Sequence, residues 1–212
     1  MVWFDRNGRR QTTAAPIGHY STLCLSSDGA TIVYELADPI SASVDLYAIE
    51  SAGGGVAERL TFEPAMDFYP VCSPEGDEAA FASARRGRPN PFRLSTRLPG
   101  SERQLLEHPT VAVPTDWSRD GLLVLSIFSP QNKFDVAVVP IDGDDPTPVV
   151  AGPADERNGQ LSPDGQWLAY VSNETGRFEV FVQPRRPARD GRSRAPAAFS
   201  LCVATTTGSS TT

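Results

Sequence analysis

Lysine is almost absent: Lys133 stands alone against 18 arginines in 212 residues. With abundant alanine, glycine and proline, that bias reads as GC-rich coding rather than as a functional arginine patch. Acids outnumber bases 26 to 19, for a formal net charge of −7. Five of the arginines and only one acid, Asp190, fall in residues 185–212. That leaves 14 bases against 25 acids, a net of −11, in residues 1–184. Nucleic-acid affinity comes from Lys and Arg displacing counterions from phosphates, so the acidic body excludes that class of partner.

Cysteine is scarce and odd in number. Cys24, Cys72 and Cys202 share no short spacing, which argues against a zinc site and against a disulfide framework; core packing is the expectation for Cys24 and Cys72. The only histidines are His19 and His108. Neither has a partner at a telling spacing, so both are expected as surface loop residues. There is no Gly-x-Ser-x-Gly elbow, no His-Arg-Asp or Asp-Phe-Gly pair and no phosphate-binding glycine loop. Gly53–Gly55 precedes a strand end, not a helix, and reads as a loop. "IDGDDPTP" (141–148) gathers Asp142, Asp144 and Asp145 but lacks the alternating ladder and distal Glu of a calcium loop. No catalytic residue, metal or cofactor is expected. No apolar run approaches 18 residues and the opening "MVWFDRNGRR" lacks an apolar h-region, so neither a membrane span nor a secretory signal is expected.

What is present is a repeat. "LSSDGATIVYEL" (25–36), "CSPEGDEAAFAS" (72–83), "WSRDGLLVLSIF" (117–128) and "LSPDGQWLAYVS" (161–172) place Ser26, Ser73, Ser118 and Ser162 at intervals of 47, 45 and 44 residues. Each copy carries a second short apolar stretch: 44–50, 91–97, 134–142 and 178–184. Shorter ends follow at 58–62, 103–107 and 147–150. Helical repeats of similar period need segments of 10–15 residues with 3.6 periodicity. Here the runs are short, β-branched and aromatic, and 19 prolines are scattered between them. Four short strands in about 45 residues is the signature of a propeller blade. The fold class expected is all-β: a β-propeller of about four blades of four-stranded antiparallel sheet. In each Ser-x-(Asp/Glu)-Gly turn (26–29, 73–76, 118–121, 162–165), the acid bonds back to local N–H groups and Gly accepts positive φ, reversing the chain after the inner strand.

The four turns, each followed by an apolar strand, resemble the TolB-like family of bacterial propeller repeats. "RLTFEPAMDFYPVCSPEGDEAAFAS" (59–83) and "PTDWSRDG" (114–121) are similar to the propellers fused to receptor-type serine/threonine kinases. The resemblance covers residues 2–184 and implies a non-catalytic sensor or binding module of a larger protein, held outside the cytoplasm. A gating propeller of a prolyl-oligopeptidase-like serine peptidase, with its catalytic domain elsewhere, is the alternative. Such propellers commonly have six or more blades, so an incomplete array is expected, with open edge strands that invite association.

The propeller is expected over residues 1–184. Residues 2–13 read as a hairpin around Asn7-Gly8, the outer half of a preceding blade. Residues 185–212 have a disordered composition, as a natural extension or as a truncated or frame-shifted end. The loops leading into each inner strand (16–20, 63–70, 108–116 and 152–160) are the expected docking face for a protein or peptide. Asp67, Tyr69, Asp116, Asp155, Glu156 and Arg157 give that face an acidic, partly aromatic character. This suggests a basic partner, unless the acids only cap turns.

Overall fold

A computed structural model describes residues 1–15, 18–38, 43–131, 133–143 and 145–185, and every regular element among them is a strand. The hairpin β1 (Val2–Phe4) and β2 (Arg10–Thr13) forms around Gly8, whose φ is 77°. Then come four meandering antiparallel sheets. The first blade is β3 (Tyr20–Leu25), β4 (Thr31–Ala37), β5 (Val44–Glu50) and β6 (Glu58–Arg59). The second is β7 (Asp67–Cys72), β8 (Glu78–Ser83), β9 (Asn90–Ser95) and β10 (Arg103–Gln104). The third is β11 (Ala112–Trp117), β12 (Leu122–Ser129), β13 (Lys133–Pro140) and β14 (Thr147–Val150). The fourth has three strands, β15 (Glu156–Leu161), β16 (Trp167–Ser172) and β17 (Glu179–Pro184). The leading strand of each blade contacts that of the next, so β3, β7, β11 and β15 form the inner wall. Arg185 closes this described portion, its N–H donating to Gln166 O at 2.8 Å. Residues 186–212, most of the segment expected to be disordered, lie outside the described residues.

Each repeated turn is built the same way. The glycine N–H donates to the serine carbonyl at 2.8, 3.0, 3.1 and 2.8 Å for Gly29, Gly76, Gly121 and Gly165, whose φ values lie between 66° and 82°. The serine Oγ accepts the N–H of the residue opening the next strand: Thr31 (2.9 Å), Glu78 (3.2 Å), Leu122 (3.1 Å) and Trp167 (3.0 Å). Ser26, Ser118 and Ser162 also donate to the turn acids Asp28, Asp120 and Asp164, which holds those carboxyls below the usual range. In the second copy the acid is Glu75, one methylene longer, and Ser73 donates instead to Asp77 at 3.3 Å.

Period-2 alternation then sends successive side chains into the two inter-blade cores. In β4, Val33 packs with Leu46, Leu60, Phe81, Phe92 and Leu94 toward the second blade. Its neighbours Ile32 and Tyr34 pack with Ala14, Ala15 and Ile49 toward the hairpin. In β12, Leu123 and Leu125 meet Ala80 and Leu106, while Val124 meets Val136, Leu168 and Tyr170. A strand covered on both faces needs apolar residues at consecutive positions, which is why these runs look unalternated in sequence.

The expectation for two of the cysteines is corrected here. Cys24 and Cys72 form a disulfide, Cα–Cα 5.6 Å, across 48 residues. They occupy nearly equivalent places before the turns of adjacent blades. Stacking brings such positions face to face although no local spacing reveals it. Closing a loop of that length stabilises the fold by about 4 kcal/mol in the chain-entropy account. A C24A/C72A chain should lose roughly 2–5 kcal/mol of unfolding free energy in urea titration. A non-reducing peptide map of the unaltered chain should contain the Cys24–Cys72 linked pair; finding both as free thiols would contradict the pairing.

Candidate functional site

The inner strands are not regular. Each carries one extra residue relative to its partner strand, within 20–23 in β3, 68–71 in β7, 114–116 in β11 and 157–160 in β15. A bulge bends its strand and re-aims side chains while freeing backbone groups from the ladder. At two bulges a non-glycine residue takes positive φ, Tyr69 and Asn158, both at 56°. The freed groups find partners in the neighbouring blade. Tyr69 N donates to Glu35 Oε2 (2.9 Å) and Asn158 N to Ser126 Oγ (3.0 Å); just past the fourth bulge, Leu161 N donates to Asp116 Oδ2 (2.7 Å). Thr115 Oγ1 donates to Gly159 O at 2.7 Å. Gly159 permits this approach: a Cβ there would lie 2.5 Å from Val136 Cγ1 and 2.9 Å from Val124 Cγ1.

Between the four inner strands lies a groove of about 580 Å³, within the range of ordinary ligand sites. Phe68, Pro70, Val71, Pro89, Val111, Val113, Pro114 and Phe134 give it apolar walls. Thr22, Tyr69, Thr115, Ser126, Arg157, Asn158 and Gln160 supply the polar groups. The three hydroxyls of Thr22, Thr115 and Ser126 are already committed to the frame, Thr22 Oγ1 donating to Glu35 Oε2 at 2.7 Å.

Of the six residues expected on a docking face, Tyr69 and Arg157 reach this groove. The acids turn elsewhere. Asp67 is fully buried and pairs with Arg85 at 2.9 Å; burial pushes its carboxyl up, against the pull of Ser83 and Arg85. Asp155, also buried, is ion-paired with Arg157. Glu156 is buried and accepts Gly152 N at 3.0 Å. Asp116 holds Leu161 N, and burial raises its carboxyl. Arg157 lies between the rings of Phe134 (5.6 Å) and Phe178 (4.7 Å). Neither ring was singled out by the repeat; their positions at the starts of the third strands of adjacent blades were the available signal.

His19 is exposed. His108 Nδ1 accepts Thr110 N at 3.2 Å, a loop-closing contact. Asp142 pairs with Arg93 at 3.1 Å; Asp144, Pro16 and Ile17 lie outside the described residues. Gly53, at φ 84°, sits where a Cβ would meet Thr13 O at 2.6 Å, so that loop seats the N-terminal hairpin. Among the described residues no three His, Cys, Asp or Glu side chains gather as a metal set.

No family model matches the chain. A protein TolB homolog from Chlorobium luteolum is 28% identical over 131 residues, 61% of this chain and 29% of that protein. The structure of TolB from Acinetobacter baumannii overlays with a TM-score of 0.68 at 18% identity, covering 85% of this chain and 44% of that one. A prolyl endopeptidase structure overlays with a TM-score of 0.59 at 17% identity, covering 89% of this chain and 31% of that one. The chain thus has a TolB-like propeller fold and spans under a third of the curated relative and under half of either solved chain.

Asp116 gives this frame a pH signature. Its carboxyl titrates above the usual value in the folded chain, so its contribution favours the fold at low pH and is lost as pH rises through the folded pKa. An Asp116→Asn chain, whose amide oxygen still accepts Leu161 N, should show a higher urea midpoint than the unaltered chain at pH 7. That advantage should vanish below about pH 4, the unfolded carboxylate value. An equal difference at both pH values would contradict the burial argument.

Proposed function

We propose that this chain is a non-catalytic docking module that holds a peptide segment of a partner protein in the groove between its inner strands. The observation that carries the reading is the groove's construction. It is walled by residues from all four blades, is mainly apolar, and its Thr22, Thr115 and Ser126 hydroxyls are already hydrogen-bonded into the frame, Thr22 to Glu35 of its own blade and the other two to the fourth blade. A rigid scaffold with shallow polar points suits a bound segment better than a bond-breaking step. The likeness to TolB proteins supports the same reading, within a larger bacterial sensor such as a receptor-type kinase. The Cys24–Cys72 disulfide supports a place outside the cytoplasm, where such bonds persist.

The overlay on a prolyl endopeptidase favours a second reading, a propeller that gates access to a catalytic domain elsewhere in its polypeptide. Both readings leave chemistry outside these blades.

Selection of a displayed random-peptide library on the immobilised chain tests the docking role. Peptides should be enriched on the unaltered chain. Their binding should weaken by about tenfold or more, over 1.4 kcal/mol, on a Val113→Trp chain whose groove is filled. Enrichment indifferent to Val113→Trp would move the docking site elsewhere, and no enrichment would overturn peptide docking.

A further inference from the structure

Among the described residues fifteen line the groove, and of these only Arg157 is charged. The acids that argued for a basic partner do not line it. The guanidinium is held on one side by buried Asp155 and clasped by Phe134 and Phe178. A guanidinium has five donors, so one carboxylate does not exhaust it. Arg85, in the second blade, shows what this fold does with the remainder. It takes Asp67 at 2.9 Å and also Glu102 at 3.7 Å, stacks on Phe92 at 4.7 Å, and is only 15% exposed. Arg157 likewise has one buried carboxylate, Asp155, and ring partners, but no second acid pairs with it among the described residues, and its side chain is 37% exposed.

Position fixes where along the groove Arg157 sits. In an antiparallel blade the first and third strands start at the same end. Arg157 lies near the start of β15, Phe134 near the start of β13 and Phe178 just before β17, so they share the mouth of the groove. Val71 and Gln160, further along their strands, lie deeper. A segment entering the groove puts apolar side chains against Val71, Val113 and Pro114 while the part crossing the mouth passes Arg157.

We propose that Arg157 seats an acidic side chain of the docked segment, so that the partner presents an apolar stretch flanked by Asp or Glu. Charge-assisted bidentate bonds to a fixed, ring-clasped guanidinium would supply both orientation and selectivity.

This rests on the docking role proposed above, and the same displayed peptides distinguish the two. They are fused at their C-termini, so any enriched carboxylate is a side chain. The expected result is a consensus of apolar residues with an adjacent Asp or Glu. Changing that acid to its amide in the synthetic peptide should weaken binding about tenfold or more on the unaltered chain. It should change little on an Asp155→Asn/Arg157→Gln chain, in which both charges of the pair are removed together and folding is checked by near-ultraviolet circular dichroism. If that chain does not fold, Arg157→Lys, which keeps the charge but not the fork, should reduce the acid's effect. A basic or uncharged consensus, or an acid effect that persists in both variants, would overturn the proposal while leaving docking intact. An empty selection would overturn both.

Discussion

The inward-facing N–H groups of the bulged inner strands must find partners, and those of Tyr69, Asn158 and Leu161 find them in the preceding blade. A buried N–H left without an acceptor costs about as much as several favourable contacts return. Glu35 takes Tyr69 N, Ser126 takes Asn158 N, and Asp116 takes Leu161 N. The third blade solves its version differently. Pro114 stands where Tyr69 and Asn158 stand in their repeats, so there is no N–H to strand, and Thr115 uses its hydroxyl on Gly159 O instead. Irregular inner strands therefore bind blades together. The same bulges aim Tyr69 and Arg157 into the groove, so cohesion and site geometry have one source.

Charge follows the same economy. The body of the chain is strongly acidic, yet among the described residues the groove is lined by one charged side chain, and it is an arginine. Asp67, Asp155 and Glu156 spend their carboxylates inside, on Arg85, Arg157 and Gly152 N. Breaking either buried ion pair would leave an uncompensated charge, which is far more damaging than never having had the pair. Net charge thus describes the outer surface and says little about the site.

The fold was legible because its signal repeats. Ser-x-Asp-Gly at 44–47-residue spacing states where each inner hairpin turns, and Asp28 and Asp164 accept the local N–H groups of Ala30 and Gln166 as the motif calls for. The second stretches became β5, β9, β13 and β17 for the same reason. The disulfide was not legible. Cys24 and Cys72 are distant in sequence, and only stacking of neighbouring blades makes their positions adjacent. Of the six loop residues that composition pointed to, Tyr69 and Arg157 line the groove, but no pattern says which way an acid points. That depends on where a bulge falls and on which cation, Arg85 or Arg157, lies within reach.

Blades so joined should open together, and native-state hydrogen exchange reads this residue by residue. The amides of Tyr69, Asn158 and Leu161, in bulges or beside them, should exchange only through global unfolding, with the same free energy and denaturant dependence as core amides such as Val33 and Leu125. Exchange at these three amides through small, denaturant-independent openings, while the core stays protected, would contradict the account.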